Sequence, residues 1–228
     1  MAKFFNCYIN WKLTIVLVAV LCIAFPSLSF ARISKVDSIK LAEIQGQLDL
    51  YQKDDNHHGI ALMYIQKFDI ERQSQVDTSI YFQSIRNAII HAQKTNDANL
   101  EFLCLFKLRF VQYRINLNLK INTPLDAKLK SILDSTVITD SLKLRVHQLW
   151  GNIYFKQNYH LLALNEYLRV QRIALDLKSD VTIVTSSIHL LEVYDVLQDE
   201  ESFLKTQSVI ESYLPKSRIK EQLNYYLS

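Results

Sequence analysis

The stretch Trp150–Tyr167, WGNIYFKQNYHLLALNEY, decides how the rest of the chain is read. It holds two small residues, Gly151 and Ala163, each followed by an aromatic one, Tyr154 and Tyr167. Asn158 between them supplies a turn. Apolar residues on both sides recur at intervals of three and four, which is the helical period. The stretch therefore reads as two antiparallel helices. They approach closely where the side chains are small, and the aromatic rings fill the space alongside.

The same period extends outward from this hairpin to Ser34 and to the end of the chain. Leu41, Ile44, Leu48 and Tyr51 share one helical face. Helical patterns follow at 57–71, 76–95, 97–118, 124–136, 139–157, 160–178, 181–198, 200–213 and 216–228. The breaks between them are polar: Asp54-Asp55-Asn56, Thr95-Asn96-Asp97, Asn122-Thr123-Pro124, Thr139-Asp140 and Ser179-Asp180, with Leu214-Pro215 as the last. Asp97, Thr123, Asp140 and Asp180 stand where they can cap the next helix. Three glycines and three prolines in 228 residues leave too few turns for a β-rich fold. The expected class is all-α.

Trp150, Gly151, Tyr154, Ala163 and Tyr167 together resemble a tetratricopeptide repeat, whose pattern asks for these residue types at these intervals. Moving forty residues on gives Leu190, Leu191, Tyr194, Phe203 and Gln207; moving 103 residues back gives Gln47, Leu48, Tyr51, Ile60 and Tyr64. In both, the spacing is kept and the small residues are lost. A forty-residue period exceeds the usual 34 and resembles the long-helix variant of bacterial signalling proteins. The resemblance implies an α-solenoid of antiparallel helical hairpins over 32–228, with the pairing between 57 and 95 open.

Residues 1–31 read as a signal peptide. Lys3 and Lys12 make the start basic, and Leu13–Phe25 (LTIVLVAVLCIAF) carries no charge. Pro26 ends that run, and Ser29-Phe30-Ala31 offers a cleavage site after Ala31. The rival reading is an uncleaved anchor that would tie the chain to the inner membrane, although the run falls short of the roughly 20 residues that span a bilayer. Either way the chain is expected to be exported: periplasmic, secreted or held at the outer face of the inner membrane. The net charge of +3 falls to +1 without Lys3 and Lys12, so no electrostatic attraction to nucleic acid is expected. Cys7 and Cys22 lie in the signal and leave Cys104, in the apolar FLCLF, as a core residue.

No motif proposes catalysis. Gly46, Gly59 and Gly151 are too scattered for a phosphate-binding loop, and one cysteine beyond the signal cannot make a thiolate zinc site. His57, His58, His91, His147, His160 and His189 form no His-x-x-x-His pair. His57-His58 after Asp54-Asp55 has metal-ligand chemistry, but adjacent side chains on a helix point apart and the run reads as a polar turn. No enzyme activity, metal or cofactor is expected. The resemblance instead implies a groove lined by the first helix of each hairpin. Its contacts would be Arg145, Gln148, Asn152, Phe155 and Lys156, then Thr185, Ile188, Glu192 and Asp195, with Phe102, Arg109, Gln112 and Tyr113 from the helix at 97–118. The same polar residues also suit a plain solvated helix face. The implied function is binding of a protein or peptide partner. The alternative is the sensory input region of a membrane-bound diguanylate cyclase or histidine kinase, or a truncated relative of one, since Leu223, Tyr226 and Leu227 make the last helix apolar for a cap.

Overall fold

The helices begin and end where local chemistry satisfies their free backbone groups. The Asn56 side chain accepts from the Gly59 N–H at 2.9 Å, and that of Asp97 from Leu100 at 3.1 Å. Thr123 and Asp126 cap reciprocally: Thr123 Oγ1 accepts from the Asp126 N–H at 3.2 Å, and Asp126 Oδ2 accepts from the Thr123 N–H at 3.2 Å. Asp140 and Asp180 do not cap. They are the first helical residues, behind Thr139 and Ser179, and their acidic side chains favour the positive end of the helix.

The structure is a computed structural model and describes residues 34–74, 76–115, 123–135 and 137–213. Among these residues it is all helical: α1 (Lys35–Lys53), α2 (His57–Gln73), α3 (Thr78–Ala92), α4 (Ala98–Ile115), α5 (Pro124–Ser135), α6 (Asp140–Lys156), α7 (His160–Asp176), α8 (Asp180–Leu197) and α9 (Glu200–Tyr213). The apolar run Leu13–Phe25, the cleavage site at Ala31 and the helical pattern at 216–228 lie outside the described residues. No described helix is long and apolar enough to cross a membrane.

Each helix from α1 to α5 packs on the next, as does each from α6 to α9, and α4 bridges the two runs by packing on α6. The pairs are antiparallel, since Gly151 meets Tyr167 and Gln171 bonds Ser187 at equal distances along the chain from the intervening turns. Four turns share one geometry. Asp55, Asn158, Lys178 and Gln198 take left-handed backbone, with φ of 50°, 62°, 52° and 56°. The N–H of the following residue then reaches back to a carbonyl in the last helical turn: Asn56 to Tyr51, Tyr159 to Tyr154, Ser179 to Ala174 and Asp199 to Tyr194, at 2.9–3.0 Å. Positions 158, 178 and 198 recur at the helix spacing, so a helix pair recurs at the forty-residue shift seen in the sequence.

The α6–α7 contact is as close as the small residues allow. A Cβ on Gly151 would lie 2.6 Å from Tyr167 Cε1. Ala163 is fully buried beside Tyr167, Leu190 and Val193. Replacing Ala163 with leucine should therefore cost about 1–3 kcal/mol by overpacking. Urea unfolding would read this as a lower midpoint, and an unchanged midpoint would mean that the interface tolerates a larger side chain.

The largest apolar cluster lies where α4, α5 and α6 meet, around Phe102, Leu105, Leu129, Leu149, Trp150 and Ile153. Within it Arg109 Nε donates to Asp126 Oδ1 at 2.7 Å, both side chains having no exposed surface. Trp150 Nε1 donates to the same oxygen at 3.1 Å, and Thr123 Oγ1 donates to Oδ2 at 2.8 Å. This overturns two expected groove contacts. Phe102 and Arg109 are fully buried, so neither faces a ligand. Phe102 fills the core, and Arg109 is directed inward by the Asp126 carboxylate. Cys104 is buried as expected, and burial pushes its thiol up to about 12, which leaves it unreactive.

Candidate functional site

One cavity among the described residues brings expected groove residues together. It encloses about 710 Å³ between α4, α6, the turn after α6, the start of α7, and α8. Tyr113 comes from α4; Asn152, Phe155 and Lys156 come from α6; Glu192 comes from α8. Asn152, Phe155 and Lys156 stand within a turn of each other on α6, which puts them along one side of that helix. Gly151 matters here as well, because it lets Tyr167 lie flat against α6 and reach the cavity wall.

Aromatic rings make much of the wall. The Tyr167 and His189 rings stack with centroids 5.0 Å apart and planes at 14°. Phe155 meets His160 edge-on at 5.3 Å. Tyr113 is nearly buried, and the Lys156 ammonium sits 5.4 Å from its ring centroid, within cation–π range. The Tyr167 hydroxyl donates to Asn152 Oδ1 at 2.8 Å, which fixes the Asn152 amide and leaves its NH₂ for a further acceptor. Burial, reinforced by the nearby Glu192 charge, pushes the Tyr167 phenol above its ordinary range, so it stays a donor.

The charges at the rim are of both signs. Lys156 is exposed and meets no acid at ion-pair distance among the described residues. Glu192 Oε2 lies 3.2 Å from His189 Nδ1 on the same helix. No group of three or more His, Cys, Asp or Glu side chains is placed to hold a metal ion among the described residues.

The other expected contacts, Gln112, Thr185 and Asp195 among them, stand outside the cavity wall. Phe102 and Arg109 are in the core, as described. Arg145 is exposed and Gln148 half-buried, one to two turns back along α6 and outside the cavity wall. On α8, Ile188 packs against Val184 and Ile210 rather than facing the cavity. The sequence reading missed His160, Tyr167, His189 and Val196, which also line it. The repeat pattern makes Tyr167 a packing residue, yet it does both: its ring packs against Gly151 while its hydroxyl serves Asn152. The signal for His189 was its place one turn before Glu192, where the two side chains share a face.

No family model matches the chain, and no curated protein matches it.

Proposed function

We propose that this chain is an exported α-solenoid of tetratricopeptide-like helical hairpins that binds a protein or peptide partner. The basic start, uncharged run and small-residue cleavage site of residues 1–31 support export to the periplasm or beyond. The recurrence of one turn geometry at 158, 178 and 198 supports the stacked-hairpin reading. One observation carries the binding site: Tyr113, Asn152, Phe155, Lys156 and Glu192 converge from three helices on one concave, aromatic-walled cavity. A partner segment would place a carboxylate or backbone carbonyl against Lys156 and the Asn152 amide. An apolar or aromatic side chain would rest on Phe155 and the Tyr167–His189 stack.

Charge reversal at the rim tests this reading. Lys156→Glu and Glu192→Lys alter exposed side chains, so each should move stability by no more than about 0.5 kcal/mol. Capture of the partner should fall by roughly tenfold or more in Lys156→Glu, because a charge-assisted hydrogen bond contributes about 1.5–3 kcal/mol. The measurement is quantitative co-purification from cells that express the tagged chain, comparing the same captured proteins across variants. Arg145→Ala, exposed on α6 but outside the cavity, should leave capture intact. Equal losses in Lys156→Glu and Arg145→Ala, or none in either, would reject the cavity as the binding site.

A further inference from the structure

A second polar cluster lies apart from the cavity, where the α1–α2 turn meets the end of α3. His57 opens α2 and His91 sits in the last turn of α3. Because these helices are antiparallel neighbours, the two rings face each other. Their Nδ1 atoms are 3.1 Å apart, with ring centroids at 5.0 Å and planes at 62°. Tyr64 stacks on His91 at 6.1 Å, and Asp55 Oδ1 lies 3.6 Å from Nε2 of His57. Asp55 is held there by the left-handed turn between α1 and α2.

Two ring nitrogens this close share a single proton. A neutral imidazole has one N–H and one lone pair, so one Nδ1 donates and the other accepts. A metal ion can take that proton's place. With metal–nitrogen bonds of about 2.0–2.1 Å, two nitrogens on one ion stand about 2.9 Å apart at a right angle and about 3.4 Å apart at the tetrahedral angle. The observed separation falls inside that span. The far side of the pair fits as well. A metal-bound histidine commonly turns its other N–H to a carboxylate, and Asp55 occupies that position behind His57.

We propose that His57 and His91 form a two-histidine site for a first-row divalent ion that favours imidazole, such as Zn²⁺, Ni²⁺ or Cu²⁺, with water in the remaining positions. On binding, the Nδ1 proton of the donor ring moves to its own Nε2, both Nδ1 lone pairs turn to the ion, and no proton leaves the protein. Among the described residues no third His, Cys, Asp or Glu side chain completes the set. The site therefore keeps open positions. The ion would clamp the first turn of α2 to the end of α3.

Titration of ZnCl₂ into the chain in chelator-free buffer, followed by calorimetry, tests the assignment. One saturable ion per chain is expected, with binding at least tenfold weaker in His57→Ala and in His91→Ala. His57→Gln and His91→Gln, which keep more of the volume, should show the same loss if the alanine variants fold poorly. His58→Ala and His189→Ala are controls, since each ring also lies near an acid, His58 3.7 Å from Asp97 and His189 3.2 Å from Glu192. They should bind as the parent does. Nitrogen NMR of the imidazoles should show zinc moving the Nδ1 signals of His57 and His91. Absence of saturable binding, undiminished binding in the His57/His91 double variant, or an equal loss in His58→Ala would overturn the proposal.

Discussion

Asp126→Ala should lower the free energy of unfolding by about 3–5 kcal/mol, the usual cost of removing one partner from a buried ion pair. The substitution takes the carboxylate from a guanidinium that has no exposed surface. It also removes the acceptor of the Trp150 indole N–H and the reciprocal cap that starts α5. Equilibrium urea unfolding would report the loss, and a variant within about 1 kcal/mol of the parent would show that the pair is not buried in solution. The contrast with double replacement is informative. Arg109→Met with Asp126→Leu removes both charges from an apolar site and should cost far less than Asp126→Ala alone. Acidity adds a second signature. Burial by itself would raise the Asp126 carboxyl, but hydrogen bonds from Arg109, Thr123 and Trp150 outweigh it and hold the group below the usual carboxylate range. A depressed folded value means stability that is present above the ordinary carboxyl range and is lost as pH falls through the folded value. The parent should shed that stability in acid, and Asp126→Ala should lack this part of the pH dependence.

The pair also marks the limit of what the sequence discloses. The helices were legible because apolar residues recur at three and four, and α3 to α9 fall within three residues of the expected spans. The α6–α7 contact was legible because Gly151 and Ala163 are unusual among large neighbours. Of the five residues expected on α6, Asn152, Phe155 and Lys156 line the cavity, whereas Arg145 and Gln148 do not. On α4 no small residue anchors the register. Residues 102, 109 and 113 do share a face, but it is the face turned toward α5 and α6. Arg109 looked solvent-facing because a lone arginine is rarely buried, and its counter-charge belongs to another helix, beyond the reach of helical periodicity. The pairing of His57 with His91 lies beyond helical periodicity for the same reason. Metal-ligand spacing rules find ligands on one helix, whereas this pair is assembled by two antiparallel ones. Tyr113 shows the intermediate case: nearly buried, as its apolar face demands, yet reached by Lys156 at the cavity.

Trp150→Ala should likewise cost about 3–5 kcal/mol, the range for emptying a buried aromatic site. Trp150 is 2% exposed and stands where α4, α5 and α6 meet, against Phe102, Leu129, Val146 and Ile153. His147 packs edge-on to its ring at 5.7 Å, and the Lys130 ammonium lies 5.6 Å from its centroid. Alanine would leave a void that three helices cannot close without shifting, and would strip one hydrogen bond from Asp126. Trp150→Phe separates these effects. It keeps most of the apolar contact and loses the indole donor, so it should cost about 1–2 kcal/mol, because Asp126 retains Arg109 and Thr123. Asp126 and Trp150 are in contact, so their losses should add to less than their sum in a double-mutant cycle. The same substitution bears on function, because the cavity residues Asn152, Phe155 and Lys156 occupy the other side of α6. Partner capture by Trp150→Ala should fail in proportion to the unfolded fraction and should return where the variant is refolded by lower temperature or stabilising osmolyte. If Trp150→Ala keeps its unfolding midpoint but loses capture, the tryptophan itself meets the partner. The inner and outer faces of α6 are then exchanged, and the cavity reading falls with them.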